Sequence, residues 1–113
     1  MVKGEWHRCV DIGAPAIPPL IARLTHWDAT VRREAMGSLV RLGSLSVEPL
    51  IAALTSDHPH VRKYAATALG MIGDKRGEQP LMRLLSDRDR EVSKVASEAI
   101  SAIQTGEMWR GSS

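Results

Sequence analysis

The sequence predicts an all-α protein built as an α–α superhelix, in which pairs of helices stack in a row. Two observations lead to this prediction: a repeat of about 30 residues, and apolar residues within each repeat spaced for one face of an α-helix. The composition agrees. Phe is absent and Tyr occurs once, so the core must come from aliphatic side chains, which favour helix packing over a β-sandwich. A chain of 113 residues has room for one domain.

The repeat is clearest in the second helix of each unit. Its apolar residues recur at i, i+4, i+8 and i+11, which is one face of a helix with 3.6 residues per turn. The three sets are Val31/Ala35/Leu39/Leu42, Val61/Ala65/Leu69/Ile72 and Val92/Ala96/Ile100/Ile103. Gly43 and Gly73 follow the first two sets, and we expect them to end these helices in a left-handed conformation.

A shorter first helix precedes each second helix. We expect Pro19, Pro49 and Pro80 in its first turn, where a missing N–H leaves no helical hydrogen bond unmade. The expected buried faces are Leu20/Ile21/Leu24, Leu50/Ile51/Leu54 and Leu81/Met82/Leu85. A polar corner rich in Asp and Ser, the usual capping residues, joins the two helices. Such a pair cannot bury its apolar faces alone, so the units must stack.

These units divide the chain into a single repeat domain, residues 1–105, and a tail, residues 106–113. The expected units are a half repeat at 2–12 and full repeats at 13–42, 43–72 and 73–104. The half repeat follows the same register, with Cys9, Ile12 and Gly13 in the positions of Leu39, Leu42 and Gly43. Its Trp6 either lies back over the first full repeat or meets another chain, so self-association through this half repeat stays open. At the other end, we expect Ser93, Ser97, Ser101 and Gln104 to form a polar outer face.

The repeat resembles a known family. Val31-Arg32, Val61-Arg62, the small pair Ala65-Ala66 and the run Ala68-Leu69-Gly70-Met71-Ile72-Gly73-Asp74 are similar to the HEAT-like repeat, in the short prokaryotic form also found in phycobilisome lyases. The resemblance covers about residues 2–104 and implies a solenoid of about three and a half repeats. Ser93, where Arg is usual, and Glu78, where an apolar residue is usual, depart from the pattern. The family includes scaffolds, adaptors, lyase subunits and DNA-binding proteins, so the fold does not decide the function.

One surface of the second helices is the candidate binding site. Lys3, Arg33, Lys63 and Lys94 occupy the same position in successive second helices, away from the core face. The resemblance implies that second helices line the concave side of the stack, where these cations would form a ridge. Val40, Thr67 and Met71 add apolar and polar groups to the same side.

Three interpretations of this surface are open. It could bind a protein or peptide, it could bind nucleic acid or another polyanion along the ridge, or its charges could be solvated without a role. Glu34 and Glu98 weaken the positive field, and no aromatic side chain alternates with the cations, as single-strand binding requires. We expect a protein or peptide partner.

Arg32 and Arg62 have a different expected role. Each directly follows a core-face valine of its second helix, Val31 or Val61, so we expect it near the boundary (seam) between neighbouring units. We expect them to be structural, pairing with corner acids such as Asp28, Asp57 or Asp87 of a neighbouring unit.

The sequence offers little for catalysis. Cys9 takes the position of a core leucine, so we expect a buried, inert thiol, and no nucleophile–base pair accompanies it. His26, His58 and His60 lie in adjacent corners, but histidines without cysteine are a weak signal for a metal. We therefore expect no metal, no cofactor and no enzymatic activity; a lyase-type subunit is supported by family likeness alone. Trp27 and Trp109 are either anchors for a partner or corner packing.

The remaining properties bear on location. No run of about 18 apolar residues occurs, so we expect no membrane span. A single cysteine excludes an internal disulfide and fits a reducing compartment, so we expect a cytoplasmic protein. The net charge of +2 is too small to indicate nucleic-acid binding by itself. The sequence thus predicts a non-catalytic protein–protein interaction or scaffold module.

Overall fold

The computed structural model describes residues 15–106, and this part of the chain contains six α-helices and no β-strand. The helices are α1 (15–22), α2 (Ala29–Leu42), α3 (Ser44–Ala53), α4 (Pro59–Ile72), α5 (Glu78–Arg83) and α6 (Arg90–Thr105). Short 3-10 turns at Arg23–Thr25, Lys75–Gly77 and Leu84–Ser86 lie beside α1 and α5. The all-α prediction is confirmed. The half repeat at 2–12 lies outside the described residues.

The helices stack in chain order. The second helices form one layer, in which α4 packs against α2 on one side and α6 on the other. The first helices form the other layer, with α3 packed on α4 and α5 on α6, and the turn after α1 packed on α2. Within each unit the first helix packs on the second, and each unit packs on the next. This is the arrangement of an all-α helical repeat.

The core follows the register of the repeat. Leu24, Leu39, Leu50, Leu69 and Leu81 are fully buried. Burying a leucine side chain stabilises the fold by about 1.5–3 kcal/mol, and these side chains come from first and second helices alike. The core is therefore continuous along the stack and belongs to no single unit.

The expected position of Pro49 is wrong. It lies inside α3, because this helix begins at Ser44 and not near the proline. Two contacts fix the early start: the N–H of Ser46 donates to the carbonyl of Gly43 at 2.9 Å, and its buried hydroxyl donates to the carbonyl of Leu39 at 2.7 Å. These bonds tie the first turn of α3 to the end of α2. Pro80, in contrast, is in the first turn of α5, as expected.

The expected burial of Met82 and Leu85 is also wrong. Their exposed fractions are 45% and 46%, whereas Leu84 is buried in their place. They stand in the register of Ile51 and Leu54, on the side of the first helix directed to the following unit. Within residues 15–106 no further unit follows α6, so nothing in this part of the chain covers them.

The helix ends are set by glycines and corner aspartates. Gly43 and Gly73 end α2 and α4 with φ of +59° and +76°. Gly73 is left-handed, as expected, whereas Gly43 combines its positive φ with ψ of −124°, a region open almost only to glycine. Asp28 and Asp89 accept backbone N–H groups at the starts of α2 and α6.

The last helix presents the expected polar side. Ser97, Ser101 and Gln104 are exposed, and Ser93 is half-buried. A second helix elsewhere in the stack buries the corresponding residues, such as Ala66 and Gly70 of α4. The outer side of α6 is therefore suited to face solvent.

Candidate functional site

The candidate site is the second-helix surface, which we define as Arg33, Lys63, Thr67, Met71 and Lys94. Lys63, Thr67 and Met71 are spaced by four residues along α4, so they form one stripe on the central helix of the layer. Arg33 on α2 and Lys94 on α6 are exposed on either side of it. Lys3, the fourth cation of the predicted ridge, lies outside the described residues.

Lys63 is the most engaged of the cations on this surface. Its Nζ lies 3.1 Å from Oε2 of Glu91 on α6, and 5.7 Å from the centroid of the Tyr64 ring. The Glu91 side chain is largely exposed, so the ion pair adds little stability. It does reduce the positive charge at the centre of the predicted ridge.

Tyr64 is a residue that sequence reasoning missed. Its ring is half-buried, and its centroid is 5.7 Å from Nζ of Lys63 and 5.9 Å from Cζ of Arg32. An aromatic ring this close to a cation attracts it through the cation–π interaction. The sequence contained a signal for it, because the single tyrosine of the chain directly follows Lys63. Tyr64 therefore adds one half-buried aromatic ring beside Lys63.

Thr67 and Met71 offer different chemistry to a partner. The Thr67 hydroxyl donates to the carbonyl of Lys63 at 2.9 Å, so its proton is already used and its oxygen remains as an acceptor. Met71 has an exposed fraction of 37%. A flexible thioether side chain can adapt to irregular apolar partners, so Met71 gives the surface an exposed and adaptable apolar group.

Val40 does not share this stripe. It is half-buried and packs against the hydrophobic core. In the register of the repeat it corresponds to Gly70, which is buried. Val40 therefore belongs to the seam side of α2, and a change there would alter packing as well as any binding.

Gly37 and Arg41 extend the surface along α2, in the positions of Thr67 and Met71. Arg41 is exposed and adds a cation that the sequence analysis did not single out, although the register would have found it. Among residues 15–106, no atom lies within 4 Å of where a Cβ at Gly37 would stand, so a side chain there has open space.

Acidic groups alternate with these cations. Glu34 on α2 and Glu91 on α6 are exposed, and Glu98 on α6 is half-buried, so two of the three helices that carry the cations also carry acids. The surface therefore carries charges of both signs. Such a surface gives weaker attraction to a phosphate chain than an unbroken row of cations.

Arg62 lies at the seam between the second and third units. Its Nε donates to Oδ2 of Asp87 at 2.9 Å, its Nη2 to Oδ1 of Asp87 at 3.1 Å, and its Nη1 to the carbonyl of Ser56 at 2.7 Å. Burial raises the pKa of the Asp87 carboxyl, but hydrogen bonds from Arg62 and from the N–H of Asp89 outweigh it. The pKa therefore lies below its ordinary value of 3.8.

Arg32 is held by fewer bonds. Its Nη1 donates to the carbonyl of His26 at 2.6 Å, as Arg62 does to Ser56. Its buried Nε has no hydrogen-bond partner within the described part of the chain. The reason lies in the register, because Ser56 stands where the neighbouring seam has Asp87.

His26 and Trp27 lie in the corner between the first two helices. Across residues 15–106 there is no group of three or more His, Cys, Asp or Glu that could hold a metal ion. His26 instead accepts the N–H of Asp28 through Nδ1 at 3.0 Å, and its ring stacks on Trp27 at 5.4 Å between centroids. Trp27 is nonetheless 85% exposed, so it presents a large apolar surface at the corner. Cys9 and Trp109 lie outside the described residues.

These features define an α-helical solenoid whose second helices present a mixed polar, charged and apolar surface. The family model described as HEAT repeats matches residues 17–103, and the chain belongs to this family. HEAT repeats generally mediate protein–protein interaction and are typically non-catalytic. Among curated proteins, none matches the chain. No helix within residues 15–106 combines the length and apolar character needed to cross a membrane.

Proposed function

We propose that this protein is a non-catalytic interaction or scaffold module of the cytoplasm that binds a protein or peptide on its second-helix surface. The observation that carries the proposal is the stripe formed by Lys63, Thr67 and Met71 on α4. It places a cation, a hydroxyl acceptor and an exposed thioether within two turns of the central helix. This combination suits a peptide with both apolar and polar side chains.

Charge is the reason for preferring a peptide to a polyanion. Glu91 pairs with Lys63, and Glu34 stands beside Arg33 on α2. A nucleic acid would bring its phosphates close to these carboxylates. A peptide can match both signs of charge with its own side chains.

The test uses peptides selected from a random display library on the immobilised protein. Affinity of a selected peptide is then compared for wild type, Met71→Ala and Met82→Ala. Both methionines are exposed, but Met82 lies on α5, in the other layer. We expect Met71→Ala to weaken binding about fivefold or more, the loss typical of a contact residue, and Met82→Ala to leave it unchanged. Equal effects of the two changes would overturn the proposal.

Binding of a polyanion is the alternative, and exposed Arg33, Arg41 and Lys94 favour it. It requires an affinity that falls steeply as salt rises, because counterions are released from the phosphates. Mobility-shift measurements with duplex DNA at low salt test it. Absence of a complex at micromolar protein removes this alternative, whereas a salt-dependent complex abolished by Arg33→Ala and Lys94→Ala would replace the peptide proposal.

A further inference from the structure

An open groove lies at the first end of the stack, between α1 and α2. Its volume is about 520 Å³. Among the residues that line it are Ala16, Leu20 and Leu42, which are apolar, and Arg23, Ser38 and Arg41, which are polar. Leu20 and Leu42 are only half-buried, although both pack against the core. The groove is thus lined by apolar side chains together with two arginines.

The corresponding places in the next two units are filled. Leu50 and Leu81, in the register of Leu20, are fully buried. Ala68 and Ala99, in the register of Ser38, are also fully buried, because α2 packs on α4 and α4 packs on α6. In residues 15–106 no second helix precedes α2. The molecule itself therefore shows what occupies such a groove, namely the second helix of a preceding unit.

Residues 2–12 have the pattern and the position for this role. The chain enters α1 beside the groove, since Ala16 lines it, so the segment just before residue 15 is tethered there. In register, Val2, Trp6 and Val10 correspond to Arg62, Ala66 and Gly70 of α4. On α4 this side faces α6, and Ala66 and Gly70 are buried.

We infer that residues 2–12 of the same chain occupy the groove as the second helix of a half repeat, with Trp6 between Arg23 and Arg41. The indole supplies a large apolar area for the floor formed by Leu20 and Leu42. Its faces suit the guanidinium groups on either side, through cation–π attraction. This contact lies at the first end of the stack. It shares Arg41 with the extended second-helix surface, but it rests on the groove and not on the proposed function.

The test makes Trp6 the single tryptophan of the chain. The full chain contains three tryptophans, so Trp27→Phe with Trp109→Phe leaves Trp6 alone. A second variant, Trp6→Phe with Trp109→Phe, leaves Trp27, which is 85% exposed and serves as the exposed reference. We expect Trp6 to show blue-shifted emission and severalfold weaker quenching by acrylamide than the reference. Quenching of Trp6 equal to that of Trp27 would overturn the inference.

A substitution in the groove tests whether the protection of Trp6 from quenching depends on the groove. Ser38→Arg, in the Trp6-only chain, fills the groove and should raise quenching to the level of the reference. Ser101→Arg, on the exposed outer side of α6, is the matched control and should change nothing. If Ser38→Arg lowers the helical circular dichroism, Ala16→Glu at the other wall replaces it. An unchanged Trp6 signal in a folded groove variant would contradict the inference.

Measurements at several protein concentrations distinguish docking of residues 2–12 within one chain from docking on a second copy. Docking within one chain predicts a sedimentation mass of one chain and quenching independent of dilution. A mass of two chains, with Trp6 becoming accessible as they dissociate, would show that the groove takes the segment of a partner copy and would overturn docking within the chain.

Discussion

Arg62 of α4 binds Asp87, in the corner of the following unit, through two hydrogen bonds of 2.9 and 3.1 Å. Side-chain exposure is 16% for Arg62 and 8% for Asp87, so the pair is largely removed from water. The same guanidinium also holds the carbonyl of Ser56 in its own corner. One side chain therefore fixes two successive corners relative to each other, and this contact helps to set the geometry of the stack.

Removing Asp87 should destabilise the fold. Asp87→Ala leaves Arg62 buried without its counter-charge, and we expect a loss of about 2–4 kcal/mol in the free energy of unfolding. Urea unfolding followed by circular dichroism measures it. Asp57→Ala is the control, because Asp57 is an exposed corner acid and no ion pair joins it within residues 15–106. Comparable losses in the two variants would contradict the role of the pair.

Stability should fall in acid partly through Asp87. Its pKa is lowered in the folded state, so its contribution is present above the ordinary value of 3.8 and is lost as the pH falls through the lower folded value. We expect the stability difference between wild type and Asp87→Asn to shrink as the pH falls from neutral to below 3.8. Urea midpoints measured across this range check the sign. A difference that stays constant with pH would refute the assignment.

Ser56→Asp should stabilise the protein. It places a carboxylate in the register of Asp87, where the buried Nε of Arg32 lacks a partner. The serine hydroxyl accepts the N–H of His58, as Asp87 accepts that of Asp89, so an aspartate can keep the turn. We expect a gain of about 1 kcal/mol.

A double-mutant cycle isolates that effect. In an Arg32→Ala background the gain from Ser56→Asp should vanish, since the guanidinium is then absent. Ser86→Asp, at an exposed corner position, is the matched control and should be nearly neutral. A gain that survives the loss of Arg32 would show that the register argument is wrong.

Two glycines should respond to alanine with opposite signs. Gly37 is inside α2, and its Cβ would have open space, so Gly37→Ala should stabilise by about 0.5–1 kcal/mol. Gly73 has φ of +76°, so Gly73→Ala should destabilise by roughly 1 kcal/mol. Thermal melts of the two variants measure both. Destabilisation by Gly37→Ala would mean that another part of the chain approaches this position.

The second helices could be predicted from the sequence because their apolar spacing repeats without interruption. Register alone also placed Lys63 and Met71 away from the core. The first helices were less predictable. The start of α3 depends on the contact of the Ser46 hydroxyl with Leu39, and no local pattern encodes that tertiary bond.

The remaining errors also come from contacts between helices. Met82 and Leu85 satisfy the apolar pattern, but their burial depends on a neighbouring unit and not on their own spacing. The contact of Tyr64 with Arg32 joins α4 to α2, so it depends on how these two helices pack, whereas Lys63 is the chain neighbour of Tyr64 on α4. Arg32 and Arg62 look equivalent in sequence, and the residue at the next corner, Ser56 or Asp87, decides which one is paired.

The most direct test of the binding surface is amide chemical-shift mapping of the protein with a selected peptide. If the second-helix surface binds the peptide, the largest changes should cluster at Arg33, Lys63, Thr67, Met71 and Lys94. Residues of the other layer, such as Ala52 and Met82, should remain unchanged. Changes centred on Met82 and Leu85, or on the corner at Trp27, would contradict the account.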